Sequence, residues 1–307
     1  MSSCKKPLFQ GCATALITPM KGGDIHREAF DALLHTQIDA GIDALVVTGT
    51  TGESPTLTDK EKKYLYTQAV KTVNESQKSI PVIAGTGSNN TARAIEISRM
   101  AEDSGCDGLL VVTPYYNKAS QEGLIAHFFA IAEAVSIPLI LYHVPSRTGC
   151  SLTAESCRIL SQHPRILGLK DATGNTGFTA RVSAACGASL PLYAGNDDST
   201  VPLLSLGGVG VISVVSNLLP SLMVEMCDAW RQGDIGRAAD IQRRILPLCD
   251  ALFSEVNPIP VKAAMSLCGI CTPEVRLPLA PADDGLKKRL SHLLPSYGLS
   301  VKKELTP

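Results

Sequence analysis

Short, continuously apolar runs recur through the first three-quarters of the chain: Gly11 to Ile17, Ala44 to Val47, Pro81 to Ala84, Gly108 to Val112, Pro138 to Tyr142, Ile166 to Lys170, Leu192 to Ala194 and Gly210 to Val214. Runs this short, without polar alternation, predict strands covered on both faces, as in a parallel sheet flanked by helices. The segments between them carry helical periodicity and helix-opening signals. Thr58-Asp59-Lys60-Glu61 reads as a capping box for a helix running toward Asn74, and small polar residues predict further helices after Asn90 and Ser120. Eight β/α repeats predict an α/β fold of the closed (β/α)8 TIM-barrel type. A doubly wound sheet more often stops at about five to seven strands and carries a nucleotide-binding turn after its first strand, which this chain lacks.

Beyond Pro220 the pattern changes to helices only, over Met223 to Arg231, Ile235 to Phe253, Pro258 to Leu267 and Leu286 to Leu294. The expected organisation is therefore a barrel at 1–219 carrying the active site and a helical region at 220–307 packed on it. No Pro- or Ser-rich linker separates the two, so no independently mobile domain is predicted.

Composition narrows the function classes. The 307 residues are 45% apolar, 5% aromatic and 19% charged, enough to bury one large barrel core. A net charge of −1 with no long basic run argues against nucleic acid as a partner. Lys5 and Lys6 are not followed by a secretory apolar stretch, and the most apolar segment, Val201 to Leu219, is broken by Pro202 and three glycines. The expectation is a cytoplasmic protein with no membrane partner. Ten cysteines scattered over so long a chain predict reduced thiols rather than a disulfide framework. Cys268-Gly269-Ile270-Cys271 has no second pair and no neighbouring histidines, so no metal is expected there.

In a barrel, reactive groups sit at the C-terminal ends of the strands, and few ionisable residues do so here. Lys170 closes its run and shares a strand face with Ile166 and Gly168, the glycine leaving room for a long side chain. A nucleophilic lysine must be neutral, yet an ordinary one is neutral in only about one molecule in a thousand at pH 7.4. Burial is the remedy: lowering the pKa by about three units corresponds to roughly 4 kcal/mol. The plainer alternative is a surface lysine, or one paired with Asp171. Tyr142 closes the fifth run and is suited either to relaying protons or to a wet rim.

Gly49-Thr50-Thr51-Gly52-Glu53-Ser54 offers glycines, hydroxyls and backbone amides, a suitable cradle for a carboxylate or a proton relay, but lacks the Gly-Lys-Ser/Thr of a P-loop. Gly85-Thr86-Gly87-Ser88-Asn89-Asn90 falls short of a dinucleotide fingerprint because its third glycine is Asn90. Arg147 is suited to bidentate pairing with a substrate carboxylate, or to solvent. His26, His35, His127, His163 and His292 have no metal-ligand spacing and read as surface or helix residues.

Several of these segments together resemble the dihydrodipicolinate synthase family: Gly49 to Ser54; Pro114-Tyr115-Tyr116-Asn117; Tyr142 with Val144-Pro145-Ser146-Arg147-Thr148-Gly149; Lys170-Asp171-Ala172-Thr173-Gly174-Asn175; and Asn257-Pro258-Ile259-Pro260-Val261-Lys262. The likeness spans nearly the whole chain, with the motifs in the family's order. It implies that Lys170 forms an imine with pyruvate, whose enamine attacks L-aspartate 4-semialdehyde in diaminopimelate and lysine biosynthesis. The imine is itself the electron sink, so no cofactor is implied. By the same resemblance Tyr142, Thr51 and Tyr116 form a proton relay, with Tyr116 reaching in from a neighbouring subunit of a homotetramer. Thr50 and Thr51 would hold the keto acid's carboxylate and Arg147 that of the semialdehyde, while the backbones of Gly195 and Ile212 position the imine.

Two departures from the family pattern bear on regulation and pH dependence. His143 stands where the family often has Asn, beside the relay. In the possible effector pocket (Ser54, Asn89, Arg93, Tyr115), Arg93 replaces an acidic residue that grips lysine in inhibited relatives, and Asp59 and Lys62 replace histidines. A cation at 93 repels lysine, so weak or absent feedback inhibition is expected. Two other activities compete. N-acetylneuraminate lyases and keto-deoxy-sugar-acid aldolases share the Schiff base, but they usually resemble Ser-Thr at the position of Thr50-Thr51 and lack the arginine. A barrel that binds a keto acid without turnover is the more distant alternative.

Overall fold

The computed structural model describes residues 5–302. The eight apolar runs become eight strands: β1 (Gly11–Ala15), β2 (Ala44–Val47), β3 (Val82–Gly85), β4 (Gly108–Val112), β5 (Leu139–His143), β6 (Ile166–Asp171), β7 (Leu192–Ala194) and β8 (Gly210–Ser213). Every pairing is parallel, each strand lies beside its sequence neighbours, and β8 closes on β1 through Gly11 opposite Gly210. The expected closed barrel is the observed one. β1 stops before its run does: the Ile17 amide donates to Asn217 Oδ1 at 3.1 Å instead of to a strand.

Helices alternate with the strands: α1 (Arg27–Asp39), α2 (Asp59–Glu75), α3 (Thr91–Asp103), α4 (Gln121–Ala134), α5 (Ala154–Leu160), α6 (Thr176–Cys186), α7 (Thr200–Ser205) and α8 (Pro220–Arg231). The Thr58 hydroxyl accepts from the Glu61 amide while the Glu61 carboxylate accepts from the Thr58 amide, satisfying two otherwise orphaned donors at the start of α2. Asn90 and Ser120 cap α3 and α4 through their side chains. Three more helices follow, α9 (Ile235–Leu252), α10 (Ile259–Leu267) and α11 (Asp284–Leu293). The helix α8 packs on β1 and α9, so it completes the eighth β/α unit and also begins the helical region. One buried cluster runs from Leu45 and Val111 on the outer strand faces through Met223 on α8 to Leu248 and Leu290.

Strand alternation separates this outer core from a smaller one inside the barrel, made of Ala13, Ala15, Val46, Ile83, Leu110, Ile140 and Ile212 with Tyr193. Several of these side chains are small, and Tyr193 fills the remaining space. Its ring stacks on Phe9 with centroids 4.5 Å apart, and its hydroxyl donates to the Phe9 carbonyl at 2.9 Å. A Cβ at Gly168 would lie 2.8 Å from that ring. The glycine therefore makes room for Tyr193 rather than for Lys170, which corrects the sequence-based expectation.

Among the described residues no helix is long and apolar enough to cross a membrane. The described cysteines are free thiols, and Cys268 and Cys271 are partly exposed while the others are buried.

Candidate active site

Lys170 closes β6 on its inner face, opposite Tyr142 of β5 and Tyr193 of β7. It is 5% exposed. Asp171 projects the other way, as alternation requires, and accepts from the Thr173 amide (2.9 Å) and from the hydroxyls of Thr173 and Thr179 (2.6 Å each). A Lys170–Asp171 pair is thereby ruled out. Among the described residues the Lys170 ammonium makes no hydrogen bond or ion pair, and its Nζ lies 4.4 Å from the centre of the Tyr142 ring. Burial lowers its pKa to about 8, against a smaller upward pull from Asp197 and with a further push down from Arg147. At pH 7.4 that leaves about one amine in five neutral.

A cavity of about 140 Å³ lies over Lys170, with Thr50, Thr51, Tyr142, Arg147, Gly195 and Asn257 in its wall. Burial pushes the Tyr142 phenol pKa up, while Arg147 and a hydrogen bond with Thr50 pull it back. Arg147 rides on a single helical turn, Pro145–Thr148, directly after β5. Its guanidinium makes no hydrogen bond or ion pair among the described residues, leaving its fork free for a carboxylate. Gly195 allows a close strand approach: a Cβ there would meet that of Ala172 at 2.6 Å. Asn257 donates through Nδ2 to Thr51 Oγ1 at 3.0 Å, and its own Oδ1 is buried without a partner. Phe253 and Asn257 bring the helical region into this wall, which a division into catalytic barrel and appendage does not foresee.

The loop between β2 and α2 is fastened from beneath. Glu53, in the left-handed region at φ +56°, accepts from Lys262 Nζ of α10 at 2.6 Å and from the Arg276 amide at 2.9 Å. Both partners of the ion pair have fully buried side chains. Thr50 and Thr51 thus sit on a loop tied to α10 through Glu53–Lys262 and to the segment just before that helix through Thr51–Asn257.

A larger cavity of about 440 Å³ shares Thr50, Tyr142 and Arg147 with the first and extends past Ser54, Lys62, Arg93 and Tyr115. Arg93 is paired with Asp59 and Glu96. Asn89 is not in its wall; the Asn89 carbonyl accepts from Asn117 Nδ2 at 2.9 Å. Tyr116 is 88% exposed, at φ +73°, and lines neither cavity of its own chain. The Ile212 side chain is buried in the barrel interior below the site, and Val214, two residues on, reaches the wall of the smaller cavity. His143 faces away from Tyr142: its Nε2 accepts from the Leu152 amide at 3.1 Å, its ring packs on Phe178, and burial lowers its pKa to about 4. It therefore stays neutral and outside the cavity.

Asp197 and Asn257 were assigned no role from sequence. Asp197 is a buried carboxylate whose Oδ2 accepts from the Val214 and Val215 amides at 2.9 and 3.2 Å. It stands shortly after β7, where an acidic residue in a barrel is a signal; Asn257 lies outside every β/α unit and gives none.

The family model described as the dihydrodipicolinate synthetase family matches residues 8–296. The 4-hydroxy-tetrahydrodipicolinate synthase of Thermoanaerobacter sp. (strain X514) is 45% identical over 295 residues, covering 95% of this chain and 98% of that protein. That of Geobacter sulfurreducens is 44% identical, covering 95% of this chain and all of the relative. The solved structure of dihydrodipicolinate synthase from Aquifex aeolicus superposes with a TM-score of 0.93 at 40% identity, over 96% of this chain and the whole of the other. With the model matching nearly end to end and the fold shared throughout, the chain belongs to the dihydrodipicolinate synthetase family.

Proposed function

We propose that this chain is a lyase of the 4-hydroxy-tetrahydrodipicolinate synthase type, condensing pyruvate with L-aspartate 4-semialdehyde in diaminopimelate and lysine biosynthesis in the cytoplasm. The observation that carries the reading is Lys170: an amine with a pKa of about 8, without a hydrogen-bond acceptor among the described residues, beside a buried tyrosine in a barrel mouth. The names of the relatives support the same activity.

Neutral Lys170 attacks C2 of pyruvate, and the keto oxygen leaves as water after protonation, giving an iminium. Loss of a methyl proton then gives the enamine, with the iminium nitrogen acting as electron sink, so that no separate cofactor is needed. The enamine carbon bonds to the aldehyde carbon of the semialdehyde, whose oxygen takes up a proton, and the iminium is restored. The semialdehyde's amino nitrogen next attacks C2 and expels Lys170, closing the ring. One water is released overall.

In this reading the Thr50 and Thr51 hydroxyls hold the pyruvate carboxylate and the unpaired Arg147 fork holds that of the semialdehyde. The backbones of Gly195 and Ile212 position the imine. Tyr142 and Thr51 pass protons, and Thr51 is held in place by Asn257. Tyr116, whose ring is exposed on its own chain, completes the relay of a neighbouring subunit, making the working form a dimer at least and a homotetramer by the family pattern. The catalytic groups belong to a barrel at 1–219, with 220–307 as the helical region packed against it. Incubation with pyruvate, borohydride reduction and peptide mass spectrometry test the mechanism: the adduct is expected on Lys170, and an adduct on any other lysine overturns it.

A further inference from the structure

Two residues of the loop after β2 hold backbone conformations that side chains other than glycine rarely adopt. Thr48 and Glu53 lie in the left-handed region, at φ +53° and +56°, on either side of Thr50 and Thr51. For a β-branched residue such as Thr48 this region is sterically costly, because Cβ crowds the neighbouring backbone. Strained positions of this kind persist only where the surrounding contacts over-determine them.

Each end of the loop has its own clamp. At the first, the buried Thr48 hydroxyl lies 3.0 Å from both the Gly85 carbonyl of β3 and the Tyr66 hydroxyl of α2. Tyr66 is wholly buried and donates to that same carbonyl at 3.2 Å. The strand approaches so closely that a Cβ at Gly85 would meet the Thr48 carbonyl oxygen at 2.4 Å. At the second end stands Arg276, in the connection between α10 and α11. Its amide donates to the Glu53 carboxylate, and its guanidinium donates to the Thr56 carbonyl at 2.9 Å and pairs with Glu61 in the first turn of α2. The same guanidinium reaches the Gly23 carbonyl at 2.8 Å, joining the loop to the turn that follows β1. Between the clamps the Gly49 carbonyl accepts from the Gly52 and Ser54 amides at 3.1 and 3.3 Å, so a shift at either end is passed on to Thr50 and Thr51.

Neither Tyr66 nor Arg276 lines the Lys170 cavity. We propose that both are positioning residues of the reaction, holding the strained loop at Thr48 and Glu53 so that the Thr50 and Thr51 hydroxyls face the keto acid's carboxylate. The inference rests on the proposed function, in which those hydroxyls hold pyruvate. The clamps carry no proton and touch no substrate; losing one relaxes its end of the loop, which weakens the grip on a carboxylate and leaves the amine as reactive as before.

Borohydride trapping on Lys170, quantified by peptide mass spectrometry, tests this with two carbonyl compounds: pyruvate, and acetaldehyde, which has no carboxylate. Tyr66→Phe and Arg276→Met are each expected to raise the pyruvate concentration for half-maximal trapping about fivefold or more. Trapping of acetaldehyde on Lys170 is expected to proceed at the wild-type rate in both. Should Tyr66→Phe fold poorly, Arg276→Met, at a half-buried position nearer the surface, gives the same reading. Equal losses with pyruvate and acetaldehyde overturn the proposal, since they would place the defect in the amine or in the fold as a whole. A wild-type pyruvate dependence in either folded variant also overturns it, and leaves the proposed reaction intact. A wild type that forms no adduct on Lys170 overturns both the inference and the reaction beneath it.

Discussion

Lys170 and Lys262 both lie inside the molecule, the first 5% exposed and the second wholly buried, yet they meet opposite surroundings. Lys262 reaches the Glu53 carboxylate at 2.6 Å, while Lys170 faces a tyrosine ring and, among the described residues, no acceptor. The paired lysine is a strut that ties the loop carrying Thr50 and Thr51 to α10; the unpaired one is the reagent of the proposed reaction. What separates the two roles is the placement of one carboxylate, since the side chains are chemically identical and similarly dry. Desolvation alone penalises the charge, and desolvation with an ion pair offsets that penalty.

Removing each amine should therefore damage a different property. Lys170→Ala is expected to cut turnover by roughly 10⁴-fold or more, since no other group supplies the covalent step, and to leave the far-ultraviolet circular dichroism unchanged. Retained pyruvate trapping in that variant would end the distinction. Lys262→Met should instead cost about 3–5 kcal/mol of stability, because Glu53 is left buried without its counter-charge. Urea unfolding reads this directly, and the double variant Glu53→Gln with Lys262→Met should recover much of the loss. If the double variant is as unstable as the single one, the pair is not what holds the loop.

The charge cost at Lys170 has a pH signature of its own. Its folded pKa of about 8 lies below the ordinary 10.5, so below pH 8 both folded and unfolded chains hold the proton and the burial cost is fully present. Between pH 8 and 10.5 the unfolded chain holds a proton that the folded one has released, and stability rises with pH. Above 10.5 the cost is gone. Lys170→Met should accordingly be more stable than wild type by about 3 kcal/mol at pH 7, with the advantage shrinking toward zero near pH 10.5. An advantage that does not change with pH would mean that packing, not charge, sets it. Tyr142→Phe removes a proton carrier but neither lysine's environment, and is expected to lower kcat by about 10²-fold while leaving the unfolding midpoint within about 1 kcal/mol of wild type. A loss shared equally between turnover and stability would recast Tyr142 as a packing residue.

The reagent was far more legible in the sequence than the strut. Lys170 ends an apolar run, and the eight runs dictate a barrel whose strand ends form the mouth, so local pattern and fold geometry suffice to aim it inward. The α2 capping box was equally plain, because both its partners lie within four residues. The Glu53–Lys262 pair joins positions 209 residues apart, and nothing local in either segment announces the other. Gly168 shows the same limit in a smaller way: alternation gave its face correctly, but the ring that occupies the space comes from β7. Local pattern records which way a side chain points; its partner is set by packing between distant elements.

Asp197 offers the finest test of the contrast, for it is the one carboxylate that pulls the Lys170 pKa upward. Burial raises its own pKa, while the amides of Val214 and Val215 and the Ser213 hydroxyl favour its charged form. If the charge persists, Asp197 acts as a distant counter-ion that keeps Lys170 from being more strongly depressed, a weaker form of what Glu53 does for Lys262. Asp197→Asn preserves an acceptor oxygen for the two amides and removes only the charge. The Lys170 amine should then titrate below pH 8, so that borohydride trapping of pyruvate at pH 7 becomes roughly threefold faster and its pH profile moves toward acid. A profile that stays in place would show Asp197 to be neutral at working pH, leaving Lys170 governed by desolvation and Arg147 alone. The difference between the two lysines would then be complete rather than one of degree.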